Sequence, residues 1–588
     1  MLSAIVRRSA ARSFPTAIRA SATLPSRYHS SVSYRDSAKE QNHHVPHPLG
    51  IPEDKDKSQY QIPDFNDSKA AFESKSTTEL IRAAVSFRLC KVPFLVHHAE
   101  DLLALSRRLL GNRLTDSLLK VTLYGHFCAG EDQQRIKPIL QKLDSVGVGS
   151  ILDYAAESDE GTSSSKTNKS QTPVPGTPVN HLKQYTARRL QHTAREYSYE
   201  DEDQCDRHVE TFQKCIHDAA SLSKDGFAAV KITALGNPKL LSRMSQAIIE
   251  TKKLFQKFDS NLDGFVSREE FEIGYNLFFD QGDESLNDIF QKFDPQGTGN
   301  VDYISWSLNL RPTDLPKITK TCKEVGPLAL ATPTDEEIEL IESMYQRAHT
   351  LAETATSTGT RLLIDAEQTR FQPAIDNLVL DLQQKYNAVD KSDRPIIYNT
   401  YQCYLKDALE RLSTDVDRAK RFNYHFGAKL VRGAYMESEK LLASVAHLPV
   451  PIHDSIEETH TCYNEAVDFL LRQSVESDQL IELMCATHNQ TSIEKAIAAM
   501  NKYGVDKSKS TICFGQLYGM SDHLSFNLGR MGYRAYKYVP YGEVHEVIPY
   551  LLRRARENSS VVGGAAAELS MIKSELKRRL NPLRRMFA

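Results

Sequence analysis

Eight short apolar runs, most of them followed by an amphipathic stretch of helical period, constrain the fold of this chain more than any other feature. They are VGSILDYAAE, AAVKITAL, RLLIDAEQT, IIYNTYQ, AKLVRGAY, IELMCATHN, STICFGQL and RAYKYVPYG, and SIEKAIAAMNKYG exemplifies the stretches between them. Eight strands alternating with helices predict an α/β fold, a (β/α)8 TIM-type barrel. After the sixth run, Thr491 and Glu494 have the spacing of a capping box, so ATHN falls in the loop at the carboxyl end of that strand. In such barrels that end carries the active site.

Strands buried on both faces read as nearly continuous apolar runs, so polar residues at their ends need a reason. Nearly every run has one: Asp153, Lys231, Asp365, Asn399, Arg432, His488, Gln516 and Tyr538. One such residue is usually a solvated rim position, whereas eight at one rim predict a site. The last helix, IPYLLRRAREN, adds the adjacent Arg553 and Arg554. Two guanidinium groups facing a barrel rim suggest a bidentate clamp on a carboxylate. Glu557, four residues after Arg553, is spaced to pair with it on the helix surface.

Between the second and third runs the chain carries DSNLDGFVSREE, Asp259–Glu270, which has the pattern of an EF-hand calcium loop. The expected ligands are Asp259, Asn261, Asp263, the Phe265 carbonyl, Ser267 through water, and bidentate Glu270. LFQKF and FEIGYNLFF flank it at helical spacing. A second loop, DPQGTGNVDYIS, keeps Gly299 but has Gln296, Thr298 and Ser305 in place of stronger ligands. One Ca²⁺ per chain is therefore expected, with the degenerate loop bracing the first, and a Kd on the order of 10⁻⁶–10⁻⁴ M.

The ends and the composition bound the rest. The first acidic residue is Asp36, and Arg7, Arg8, Arg12 and Arg19 lie among serines and alanines, as in a mitochondrial presequence over 1–35. A helical region is expected over 36–140, the first part of the barrel over 141–245 with a polar disordered insertion at 157–180, the EF-hand pair over 246–312, and the rest of the barrel over 313–560. The basic tail, 561–588, sets Lys573, Lys577, Arg578 and Arg579 beside Met571, Ile572, Leu576 and Leu580, a composition suited to peripheral contact with anionic lipid. A net charge of −3 over 588 residues excludes the basic excess of a nucleic-acid-binding protein. Nine cysteines without a CxxC pair suggest neither disulfides nor zinc.

As a set, LDYAAE, VKITAL, LLIDAEQT, YNTYQCYLKDA, KLVRGAYMESE, ATHNQTSIEKA, FGQLYGMSD and YKYVPYGEVHEVIPYLLRRAREN closely resemble the mitochondrial proline dehydrogenase (proline oxidase) family, from about Leu80 to about Asn558. The resemblance implies a distorted barrel that binds FAD, oxidises L-proline to pyrroline-5-carboxylate and hands electrons to ubiquinone on the matrix side of the mitochondrial inner membrane. By position it implies that Arg553, Arg554 and Lys231 hold the substrate carboxylate, that Asp365 stands beside the substrate, and that Tyr435 and Tyr538 wall the ring. It implies flavin contacts at Asn399, Lys429, Val431, Gly433, Thr487, His488 and Glu557. Met436 replaces a Trp, and Asn399 a Gln, of bacterial members; Asp153 and Glu157 match acidic residues of the first strand. The alternatives are hydroxyproline dehydrogenase, against which Tyr538 speaks by crowding the hydroxyl position, and a calcium sensor with a non-catalytic barrel.

Overall fold

The computed structural model describes residues 60–155, 199–223, 225–280, 282, 284–507, 511–560 and 564–580. The expected presequence, the 157–180 insertion and Glu157 lie outside them. All eight expected runs form strands: β1 (Val148–Tyr154), β2 (Phe227–Val230), β5 (Arg361–Ile364), β6 (Ile397–Gln402), β7 (Phe426–Val431), β8 (Ile481–Ala486), β9 (Ile512–Leu517) and β10 (Ala535–Tyr541). Each pairs in parallel with the next, and β10 pairs with β1 to close the barrel. Helices cover the outside. The apolar side chains sort into an inner layer, including Ile151, Phe227, Ala229, Leu363, Met484 and Cys513, and an outer layer between strands and helices.

Between β2 and β5 the chain builds a helix–loop–helix pair with a core of its own around Phe258, Phe271, Phe293 and Trp306. Its loops meet through two short antiparallel strands, β3 (Phe265–Ser267) and β4 (Asn300–Asp302), with Val266 opposite Val301. The sequence boundary at 245/246 falls inside one continuous helix, Pro238–Phe258. That helix places Leu240, Leu241 and Met244 in the barrel core and Leu254, Phe255 and Phe258 in the core of the pair, because its apolar stripe runs unbroken for its whole length. The insertion therefore shares an element with the barrel. A second tie comes from Arg421, which binds Asp302 and Ser305 of the degenerate loop, so a guanidinium group meets two of that loop's would-be ligand positions.

Two further expectations need correction. The helix Gln490–Tyr503 is capped by Asn489, whose side chain accepts the Ser492 N–H at 3.0 Å, in place of the Thr491–Glu494 box. The tail forms a helix, Gly564–Leu580, that packs on the N-terminal helix Thr77–Cys90. Leu569 and Ile572 are buried there, with Met571 and Leu576 packed against the same cluster. Arg578 and Arg579 fold onto Glu575, and Arg579 also donates to the carbonyls of Phe72 and Lys75. Apart from Leu580, the apolar residues expected to meet lipid are thus covered by the protein itself.

Candidate active site

At the carboxyl ends of the strands, side chains from non-adjacent strands converge, which is possible only through the barrel interior. Lys231, directly after β2, stands 3.3 Å from Asp365, directly after β5, and 3.8 Å from Asp153 of β1. Lys429 of β7 donates to the other oxygen of Asp365 at 2.5 Å. The Tyr538 hydroxyl of β10 donates to Asp365 at 3.0 Å, and the Lys429 ammonium lies 5.4 Å from the Tyr538 ring centre. All five side chains are buried. Asp365 thus gathers two ammonium groups and a hydroxyl, while Lys231 faces two carboxylates. Such a cluster holds its charges only because each faces an opposite one.

Behind the cluster, the loops are tied to one another. Glu367, just past Asp365, accepts the Thr233 N–H at 3.0 Å and its hydroxyl at 2.7 Å, which joins the loops after β2 and β5. Thr369 donates to Glu439 of the helix Met436–Ala446, joining the loops after β5 and β7. Tyr435 is buried at the start of that helix and Met436 is exposed. Thr487 follows β8 and accepts from Arg432 at 2.5 Å; exposed His488 bonds Ser521 through Nδ1 at 2.8 Å. Burial pushes Asp522 up, but Lys537 and Lys75 hold its carboxyl well below the usual range. These ties fix the rim on which a ligand would lie.

The helix Ile548–Ser560 carries the arginine pair. Arg554 is buried over the Tyr550 ring and pairs with Glu557, three residues on along the same helix. Its Nε is buried without a hydrogen-bond partner among the described residues. A planar anion would satisfy that atom.

Not every expected site residue joins the cluster. Asn399 lies in β6, fully buried, and its amide donates to Asp376 on the helix Gln372–Tyr386, 3.0 Å away. The alternation of side chains along β6 turns Thr400 and Gln402 toward the interior and Asn399 away. Arg432 turns sideways onto His460, Thr487 and Ser492, and Gln516 onto Thr487 and Ser525. Gly433 has φ +141°, and a Cβ there would meet the Tyr404 ring at 2.5 Å, so packing against Tyr404 by itself demands glycine. Val431 ends β7 beside it. Sequence reasoning passed over Glu367 and Gln402, whose amide donates to the Glu367 carbonyl at 2.8 Å.

In the helix–loop–helix pair, Asp259 accepts the N–H groups of Asp263 and Gly264 at 3.1 and 3.0 Å. Burial pushes Glu270 up, but bonds from Ser260, Ser267 and the Asn261 N–H hold its carboxyl down to about 2. Among the described residues no group of three or more His, Cys, Asp and Glu side chains is drawn together, and the loop carboxylates instead accept from the loop's own N–H and hydroxyl groups. Asn261 bonds Asp263, and the Phe265 N–H bonds Asp263 at 2.9 Å.

The family model described as proline dehydrogenase matches residues 181–566. The chain is 38% identical to human mitochondrial proline dehydrogenase 1 over 88% of this chain and 90% of that one, and 37% identical to the Caenorhabditis elegans protein of the same name over 88% of each. It is 31% identical to rat hydroxyproline dehydrogenase, over 87% of this chain and 93% of that one. Among solved structures, the proline utilization A protein of Bdellovibrio bacteriovorus shares the fold with a TM-score of 0.50 at 14% identity, covering 88% of this chain and 41% of that longer one.

Proposed function

Because the chain belongs to the proline dehydrogenase family and is an oxidoreductase of that kind, we propose that it oxidises L-proline to pyrroline-5-carboxylate with FAD. We further propose that its electrons pass to ubiquinone and that it works at the matrix side of the mitochondrial inner membrane. The relatives' names include "mitochondrial", and the arginine-rich start of the chain agrees with them.

The observation that carries the reading is the unpartnered Nε of buried Arg554 beside a rim where Lys231 and Lys429 crowd Asp365. Arg553 and Arg554 bind the substrate carboxylate, with Lys231 adding charge from the barrel. Three cations near the amino acid favour loss of the ring ammonium proton, which leaves the nitrogen lone pair free. Tyr538, tethered to Asp365, and buried Tyr435 wall the ring. Lys429, Val431, Gly433, Thr487, His488 and Glu557 would hold FAD, and the open rim and exposed His488 fit such a group. Asn399 is left out because its amide is committed to Asp376. When bound, FAD supplies the two-electron acceptor that oxidation of a C–N bond needs.

Purified protein should be yellow, and anaerobic L-proline should bleach it faster than hydroxyproline does. Colourless protein, or faster bleaching by hydroxyproline, would overturn the assignment. Tyr538 favours proline because its position is pinned by Asp365, which keeps the space beside the ring closed.

The inserted pair reads as an EF-hand pair holding one Ca²⁺ through Asp259, Asn261, Asp263, Phe265, Ser267 and Glu270. The loop spacing and the β3–β4 pairing support this. The chain's one tryptophan, Trp306, lies in the core of the pair, so calcium should change its emission. Glu270→Gln should abolish the change; an undiminished response in that variant would remove the assigned ligand.

A further inference from the structure

The N-terminal helix Ala99–Val121 carries an apolar face that the protein leaves bare. At Gly111 (φ 77°, ψ 164°) its helical geometry breaks. Ser106 Oγ then meets Thr115 Oγ1 at 3.0 Å, and Arg107 lies 3.7 Å from Asp116. In a straight helix residues nine apart stand about 13 Å apart, so these contacts define a hairpin of two helical arms. Leu105, Leu109, Leu110, Leu114, Leu118 and Val121 are 50–72% exposed along it. Soluble proteins rarely leave so many large apolar side chains bare on one element without a partner. Exposed Arg108 and Arg113 stand among them, and among the described residues no carboxylate pairs with either.

We propose that this hairpin is the surface by which the enzyme docks on a lipid bilayer containing anionic lipid. The leucines enter the acyl boundary of one leaflet while Arg108 and Arg113 meet headgroup phosphates. Each arm of about ten residues reaches only about 15 Å, half of a hydrocarbon core, and no described helix is long and apolar enough to cross a membrane. The charge pattern selects lipid over a second copy of the chain: in a symmetric dimer on this face the unpaired Arg108 and Arg113 of one copy would meet a face carrying the same two unpaired cations, whereas phosphates complement them. The short helix Pro93–His97, which leads into the hairpin, packs against the Ile548–Ser560 helix that bears Arg553 and Arg554. Docking therefore sets the active-site helix beside the membrane. The inference rests on the proposed membrane-dissolved acceptor for its purpose, and not for its geometry.

The test is flotation of the purified holoenzyme with vesicles of phosphatidylcholine, alone and mixed with phosphatidylglycerol. The expected result is binding that strengthens with the anionic lipid. It should fall on the order of tenfold in the triple variant Leu109→Gln, Leu114→Gln, Leu118→Gln, and by a similar factor in Arg108→Glu, Arg113→Glu. All these side chains are exposed, so circular dichroism and flavin content should match the parent. No flotation of the parent protein, equal flotation of the leucine variant, or a dimer mass that drops to monomer in that variant without loss of vesicle binding would each overturn the proposal. Ubiquinone reduction by L-proline is measured in the same vesicles. Flotation without it upholds the surface and overturns only the acceptor.

Discussion

At the amino-terminal end of the barrel, Arg361 of β5 crosses the interior to Glu482 of β8 at 3.3 Å, donates to the Tyr536 hydroxyl of β10 at 3.2 Å and lies 3.9 Å from the Phe227 ring centre. At the carboxyl end, Lys429 of β7 crosses the same interior to Asp365, which Lys231 reaches from the adjacent β2. Both clusters are buried and both link strands that are not neighbours. They differ in what surrounds the charge. Arg361 is fully enclosed by aromatic rings and by Glu482, Tyr398 and Asp225, whereas the upper lysines stand at the carboxyl ends of the strands, paired with Asp365. Burial is therefore not what marks a site. What sets the upper cluster apart is its place at the carboxyl ends of the strands, where the loops after β2, β5 and β7 are tied together, whereas Arg361 is committed to Glu482, Tyr536 and Asp225.

The largest effect that sharpens this contrast is at the lower end. Arg361→Met leaves buried Glu482 with the Tyr398 hydroxyl but without its cation, while Asp225 keeps Arg394 and Arg534, and it should lower the unfolding free energy by about 3–5 kcal/mol while leaving kcat/KM of the folded enzyme nearly unchanged. Denaturant unfolding and proline turnover, measured together, check it. A comparable loss of kcat/KM would erase the distinction between the ends.

Lys231→Met should do the reverse. Asp365 keeps Lys429 and Tyr538, so the cost to stability is expected to be smaller than that of Arg361→Met, while kcat/KM for proline falls by about 2–3 kcal/mol. Tyr538→Phe removes one hydrogen bond to Asp365 and should cost about 0.5–1.5 kcal/mol of stability, with the proline-to-hydroxyproline preference as the second readout. A preference that stays unchanged would separate Tyr538 from ring recognition.

The smallest expected effect is on pH dependence. Burial raises the Glu482 carboxyl against the pull of Arg361. A carboxyl raised in the fold contributes stability that is present below its unfolded value and lost as pH rises through its folded value. The thermal midpoint of the parent relative to Glu482→Gln should therefore decline as pH rises from the ordinary glutamate range upward. A rise over that interval would mean that Arg361 outweighs burial.

The sequence revealed the barrel because buried parallel strands leave apolar runs that few other folds produce, and all eight became strands. It also revealed Lys231, Asp365 and Tyr538 as polar ends of such runs. It could not show that the Asn399 amide turns to Asp376, because a single position along β6 decides whether a side chain faces the interior or the helices, and a run as apolar as this one carries no alternation from which to read the phase. Arg361 and Glu482 were legible by the same logic at the opposite ends of their runs. The covered tail was not: its stripe of apolar residues is the same whether lipid or the Thr77–Cys90 helix lies against it. The shared Pro238–Phe258 helix was hidden for a related reason, since one amphipathic stripe can serve two cores.

The central claim is that the upper cations exist to hold a carboxylate, and one comparison tests it most directly: kcat/KM for L-proline and for L-prolinamide, which lacks the carboxylate, in the parent enzyme and in Arg554→Met. Arg554→Met should lose about 2–5 kcal/mol for proline and change little for prolinamide. Equal losses for both substrates, or none for either, would contradict it.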